Sequence, residues 1–289
     1  MTEEMIPIGV DEPLPFECSP DVSCFNECCR DLNQFLTPYD ILRLKNNLGI
    51  KSDEFLKKYT SRHNGPESGL PVVTFKPDPA SGLACPFVRE SGCSVYKDRP
   101  ASCRMYPIAR AVVRSRQTGE LSEHFALIEE PHCCGFAHKN GYIHRNINQK
   151  NNQPESQYSH KGESKEIYQE EGEGGVQTHL KQTLTVREWL ESQDVEVHNQ
   201  MNDKMVEIIS LKNRIIQGKL DGADGDRFYL ACYDLDTFRV KIFRDGLLSR
   251  FSMPPHFLEE IATNDLLLLE LGLAWIKNML FGIEITIWN

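Results

Sequence analysis

Nine of the ten cysteines in this chain fall between Cys18 and Cys134, and they come in three groups. The first is Cys18, Cys24, Cys28 and Cys29, the second Cys85, Cys93 and Cys103, and the third the pair Cys133 and Cys134. Thiolates are soft donors suited to zinc and to iron–sulfur clusters. Short spacings let one turn of backbone offer two sulfurs to one centre. Cys24 and Cys28 stand at i and i+4, so a helical turn would put them on one side. Adjacent Cys28 and Cys29 point apart, to serve two sites or to leave one as a ligand and the other as packing. Free cysteine is often a small core hydrophobe, but independent burial would not crowd nine of ten into less than half the chain. Cys232, alone in an apolar run, is the opposite case and reads as core.

The second group has surroundings that bear on sulfur chemistry: Cys85-Pro86-Phe87, Gly92-Cys93, and the run from Tyr96 to Pro107 that contains Arg99-Pro100, Cys103-Arg104 and Tyr106. Proline and glycine hold tight turns that leave N–H groups free to reach sulfur. Arg99 and Arg104 would offset the charge of several thiolates and donate to them; the competing reading pairs them with surface carboxylates. Tyr96 and Tyr106 read as packing residues. His124 and His132 are the nearest histidines and read as surface or packing groups.

Other chemistries find no support. Walker and Rossmann glycine spacings, the Gly-x-Ser-x-Gly elbow and His-Glu-x-x-His are missing from the sequence. Gly222-Ala223-Asp224-Gly225-Asp226 reads as an acidic turn. A net charge of −10 argues against a nucleic-acid footprint, which needs clustered lysine and arginine. Met1 to Met5 lacks the basic start and apolar run of a secretory signal. The longest apolar stretch, Leu266 to Phe281, carries Glu270 and Lys277 and is too short to span a bilayer, so it reads as a buried helix and no membrane is expected. The cytoplasm is the default compartment, and in a reducing one grouped cysteines bind metal rather than pair as disulfides.

The positioning elements follow from pattern. The fold class expected is α+β: a small, irregular, cysteine-stapled N-terminal region with short strands and helices (1–147), then a flexible polar linker (148–182), then a mostly α-helical region (183–289). Thr37 should cap a helix begun by Pro38 and ended by Gly49, with Ile41, Leu44 and Leu48 on one face. Ser52 should cap a second helix through Tyr59. Val72 to Phe75, Ile108 to Val113 and Phe125 to Ile128 read as strands. Thr185-Val186-Arg187-Glu188 is a capping box, and apolar residues from Trp189 to Ile216 follow at helical spacing up to Gly218. Phe228 to Tyr233 reads as a strand or the start of a helix. Pro254-Pro255 opens another helix, and Asn264 or Asp265 caps the last.

Taken together, the first cysteine group, Cys85-Pro86-Phe87, Gly92-Cys93 and Tyr96-x2-Arg99-Pro100-x2-Cys103-Arg104-x-Tyr106-Pro107 resemble the YkgJ-like cysteine-cluster family of zinc- or iron-chelating proteins. Leu36 to Ile41 and Thr185 to Leu190 resemble the same family. The resemblance implies metal binding and names no reaction. Relatives carry one cysteine where Cys133-Cys134 stands, which favours Cys133 as the ligand, and they pass to the Arg-Glu-Trp-Leu helix without the polar insertion found here. The implied ligands are Cys18, Cys24, Cys28, Cys29, Cys85, Cys93, Cys103 and Cys133, enough for two four-cysteine sites of either kind, iron–sulfur or zinc. Three functions are consistent with this set: a cluster-binding protein whose metal supports the fold and whose helical region could take a protein partner; an iron–sulfur redox or radical enzyme, since a similar cysteine pattern occurs in flagellin lysine-N-methylases; and a structural zinc module.

Overall fold

The computed structural model describes residues 4–30, 34–115, 117–136 and 183–288; the expected linker, 148–182, lies outside them. The fold is α+β, with short strands and helices up to Glu129 and helices from Val186 onward.

Helix α1 (Pro38–Leu48) forms as its sequence dictates. The Thr37 side chain accepts the Asp40 N–H, Asp40 returns a bond to the Thr37 N–H, and Gly49 closes the helix at φ 63°. Its face of Ile41 and Leu44 is buried. Helix α2 (Ser52–Tyr59) begins one residue earlier than expected, with Lys51 at the cap position. Ser52 turns outward from its own helix: its N–H donates to Asp236 at 2.8 Å and its hydroxyl to Asp234 at 2.7 Å. Strands β2 (Phe35–Leu36), β3 (Thr60–Asn64) and β4 (Pro71–Phe75) form an antiparallel sheet in the order β2-β4-β3. A second sheet, β1-β8-β7, joins β1 (Glu4–Ile8), β7 (Ile108–Arg114) and β8 (Leu121–Glu129). In chain order between β4 and β7 come the two-residue strands β5 (Val88–Arg89) and β6 (Gly92–Cys93), which pair with each other, and the short helix α3 (Ala101–Met105).

The helical run expected from Trp189 to Ile216 is two helices, α4 (Val186–Ser192) and α5 (Glu196–Ile215), broken where Asp194 takes φ 51°. The acidic stretch expected as a turn is instead the first turn of α6 (Gly222–Cys232). Asp221 caps it by accepting the Asp224 N–H, and early acidic residues suit a helix N-terminus. Helices α7 (Leu235–Phe243), α8 (Pro255–Thr263) and α9 (Asp265–Phe281) complete the fold, and Asn264 caps α9. Among the described residues no helix is long and apolar enough to cross a membrane. At Gly272 in α9 a Cβ would run into the Ala231 carbonyl, so glycine lets α9 approach α6.

Among the described residues two apolar cores form, and each draws on residues before and after the polar segment of the sequence. Leu44, Phe55 and Val73 pack with Phe228, Phe238, Leu269 and Ile276 in the larger core. Leu14, Met105, Ile108 and Leu127 pack with Val186 and Leu190 in the smaller. Polar contacts follow the same pattern. Lys45, almost fully buried, reaches Asp236 at 3.1 Å and Asp265 at 2.7 Å. Asp40, 1% exposed, accepts the Ala101 N–H at 2.9 Å and lies 3.2 Å from His198 Nδ1. One carboxyl group thereby fixes the starts of α1 and α3 and a point on α5. Breaking such a buried node leaves several groups without partners at once.

Asp40→Ala should therefore cost about 3 kcal/mol of unfolding free energy in urea titration, well beyond the ~1 kcal/mol of a lost cap alone. Acid should act through a different pair of carboxylates. Burial works against charge at Asp98, yet Arg43 and Asn47 hold its pKa below the usual value; at Asp265 burial is likewise outweighed by Arg239 and Lys45. A depressed folded-state value contributes stability that is complete above the unfolded carboxylate pKa of about 3.9 and is lost as pH falls through the lower folded value. Melting temperature should thus fall on acidification below about pH 4, and Asp98→Asn should flatten that dependence.

Candidate metal centre

Each cysteine is positioned by a local device. Cys28 and Cys29 sit on a single 3-10 turn, Glu27–Cys29, entered through Asn26 at φ 71°. That left-handed residue interrupts the helical turn expected to join Cys24 to Cys28. The Asn26 side chain donates to the Arg89 carbonyl at 2.9 Å, which clips the first cysteine group to the β5–β6 hairpin. The Cys85 N–H donates to the Cys29 carbonyl at 2.8 Å, a second clip. Cys93 lies on β6 after Gly92, whose φ of 111° and closeness to the Phe25 ring favour glycine. Cys103 lies on α3, the helix anchored by Asp40. Cys133 and Cys134 follow β8, and the Glu17 N–H donates to the Gly135 carbonyl at 2.8 Å, drawing the third group onto the first. Gly135 is required there, since a Cβ would strike the Phe16 ring and the Glu17 carbonyl.

The result is one cavity of about 490 Å³ lined by Cys18, Cys24, Cys28, Cys29, Cys85, Cys93, Cys103 and Cys133. Cys134 is buried just outside it, and Cys232 lies in the large core. All ten thiols are free. The sulfurs ring the cavity rather than meeting at a point: among the described residues no three His, Cys, Asp or Glu side chains are gathered tightly enough to hold one ion as they stand.

Electrostatics show which thiols face one another. Burial pushes Cys18 up to about 11, with Cys28 and Cys133 adding to the effect. Burial also pushes Cys24 up to about 12, reinforced by Cys133 and Cys134. Cys103 is raised by burial and then by Cys85, Asp40, Cys93 and Cys28. Cys28 is raised first by the neighbouring Cys29 thiol, then by burial. Two neighbourhoods emerge, Cys18, Cys24 and Cys133 on one side and Cys85, Cys93 and Cys103 on the other, with Cys28 facing both. Backbone N–H groups oppose the burial cost: Phe87 and Val88 donate to Cys85, Val95 to Cys93, and Cys134 to Cys24 at 3.0 Å. The turns around proline and glycine thus aim donors at sulfur, as expected.

The arginines act differently from expectation. Arg104 donates to the carbonyls of Arg99 (3.0 Å), Gln193 (2.8 Å) and Lys97. Arg99 donates to the Tyr96 carbonyl and the Gln193 side chain and stacks 3.8 Å over the exposed Tyr96 ring. Neither reaches sulfur with a hydrogen bond among the described residues. The unfilled carbonyls at the ends of short turns compete more effectively for a planar guanidinium. Charge still reaches the site, since burial raises Cys93 while Arg99 and Arg89 act to lower it. Sequence reading missed Arg89. It also missed Gln34, whose side-chain oxygen accepts from the Cys103 thiol at 3.4 Å, and the wall contributed by Trp189 and Gln193.

Beside this cavity lies a second, of about 710 Å³, sharing Cys28, Gln34, Tyr106 and His132 with it. Buried polar atoms on its lining residues lack well-formed hydrogen bonds: the Tyr106 hydroxyl, His132 Nε2, and the side-chain oxygens of Asn199 and Asn202. His132 Nε2 is 3.3 Å from Glu130 but poorly aligned with it. The Tyr106 hydroxyl is similarly close to Cys133 and Glu130, which together with burial push its ionisation far up.

An α+β scaffold brings eight thiols to the walls of one chamber, a set of soft donors of the kind that thiolate metal centres use. Residues 17–135 match the family model CxxCxxCC, described as a "putative zinc- or iron-chelating domain", and the resemblance seen in the cysteines holds over that stretch. The match ends before the capping-box helix α4. No curated protein and no solved structure matches the chain.

Thiol reactivity offers a check on the chamber. In metal-free protein the alkylation rate of Cys18 should climb about tenfold per pH unit from neutral pH and level off only near 11. A plateau near the ordinary cysteine value of about 8.5 would show that Cys18 stays hydrated where it lines the chamber.

Proposed function

We propose that the chain is a cytoplasmic protein that holds iron–sulfur clusters through Cys18, Cys24, Cys28, Cys29, Cys85, Cys93, Cys103 and Cys133. The observation that carries this reading is the lining of one cavity by these eight thiols, with Cys134 and Cys232 outside it. Eight sulfurs are about twice what a four-cysteine centre takes. The two neighbourhoods support one centre on Cys18, Cys24 and Cys133 and another on Cys85, Cys93 and Cys103, with the fourth thiol of each drawn from Cys28 and Cys29. A cluster several atoms across suits thiols spread around a chamber, whereas one zinc ion gathers four sulfurs at about 2.3 Å. Raised thiol pKa values mean that loading must expel protons and that metal binding would tighten the N-terminal region as it forms.

When bound, a cluster would supply electron transfer. The residues present would hold it, with N–H groups from Phe87, Val88 and Val95 directed at the sulfurs and Arg89 and Arg99 offsetting their charge. The second cavity favours an alternative in which the cluster serves an enzyme. A polar chamber walled in part by Cys28 is where a substrate could meet a centre, and its orphaned hydroxyl, imidazole and amide groups could orient one. A structural zinc module, the third reading, would have no use for that chamber.

The test is metal and acid-labile sulfide analysis on anaerobically purified full-length protein. We expect iron and sulfide, with broad visible absorption. Cys28→Ser and Cys103→Ser should lose most of the metal and destabilise the protein, and Cys232→Ser should keep its full complement. Zinc without sulfide would replace the cluster reading by a zinc one, and retention of metal by the first two variants would refute the ligand assignment.

A further inference from the structure

We propose that Cys24 and Cys134 form an oxidisable pair, a site of modification by hydroperoxides that competes with metal for Cys24. The Cys134 N–H stands 3.0 Å from Cys24 Sγ, so the sulfur of one residue lies against the backbone of the other, and the two thiols act on one another electrostatically. Cys134 is held in place: its thiol donates to the His132 carbonyl at 3.7 Å and accepts from the Ser23 hydroxyl at 3.4 Å. Gly135 pins the following backbone against Phe16 and Glu17. Of the nine grouped cysteines Cys134 alone lies off the cavity wall among the described residues, so occupation of the cavity would leave it a free thiol. Cys24 faces the cavity and can be reached from it. Cys28 and Cys29 are adjacent in sequence, and a bridge between them would close a strained ring far from ordinary disulfide geometry.

The chemistry balances with one hydroperoxide. With its pKa raised, Cys24 reacts through the small fraction present as thiolate: that thiolate attacks the peroxide oxygen, the O–O bond breaks and a sulfenic acid forms, with hydroxide (or alkoxide) leaving. The Cys134 thiolate, with the Ser23 hydroxyl donating to it, then attacks Cys24 sulfur and expels hydroxide. The two thiol protons and the two leaving oxygens end as water, or water and an alcohol, while two sulfurs are oxidised and one O–O bond is reduced. Cys24 is thereby removed from the set available to metal. That consequence rests on Cys24 being a ligand; the disulfide does not.

Full-length protein, stripped with a chelator, is treated with one equivalent of hydrogen peroxide, alkylated and mapped by peptide mass spectrometry. The first linkage expected joins Cys24 to Cys134. In Cys134→Ser, Cys24 should stop at the sulfenic acid, trapped by dimedone. The oxidised wild type should reload metal several-fold less than the reduced protein and recover with dithiothreitol. A first linkage between other cysteines, or Cys134 recovered fully alkylated, would overturn the proposal without needing any variant to fold. If the disulfide forms but Cys24→Ser keeps its metal, the pair stands and the ligand assignment falls.

Discussion

Sulfur can be crowded only if its charge is suppressed or shared. Thiols crowded around one cavity cannot all ionise: Cys18, Cys24 and Cys103 lose water and feel their neighbours, and both effects hold protons on. A cation reverses the sign of that interaction, since it binds the deprotonated form and spreads its charge. The surrounding structure can be read as a frame that tolerates a set of neutral thiols while keeping donors aimed at the sulfurs for the charged state.

That frame is made of unusually little regular structure. The turn Glu27–Cys29, the hairpin β5–β6 and helix α3 are each six residues or fewer. None could persist alone, because a short helix or hairpin does not recover its own ordering entropy. They persist by being clipped to larger parts. Asn26 holds the first to the second, Asp40 holds the third to α1 and α5, and Arg104 ties the third to the end of α4. Asp40, His198 and Arg104 at these junctions are buried polar groups, and apolar side chains fill the cores behind them.

Much of this was legible in the residues. The caps at Thr37, Thr185 and Asn264 and the terminating Gly49 were readable because each rests on a contact within a few residues. So was the separation of Cys232 from the rest, through distance in sequence and apolar neighbours. Long-range competition was not legible. Ser52 looked like a cap and instead serves Asp234 and Asp236, more than 180 positions away. Arg99 and Arg104 looked like partners of sulfur and instead satisfy carbonyls left open by short turns. The acidic stretch at Gly222 looked like a turn because it is short and acidic, yet Asp221 at its head and burial of Phe228 in the core carry it into a helix. Gln34 and Arg89 gave no signal, since a single polar residue acquires meaning only from what the fold places beside it.

Helix α4 has a further implication for how the protein is made. Trp189 and Gln193 wall the chamber, and Gln193 receives both Arg99 and Arg104. During synthesis the last cysteine of the chamber, Cys133, leaves the ribosome some 60 residues before Gln193 does. At translation rates of about 5–20 residues per second, that interval lasts on the order of several seconds. For that time every thiol of the chamber is outside the ribosome and one wall is still missing, so the nascent chain presents its sulfurs to the cell before it can enclose them.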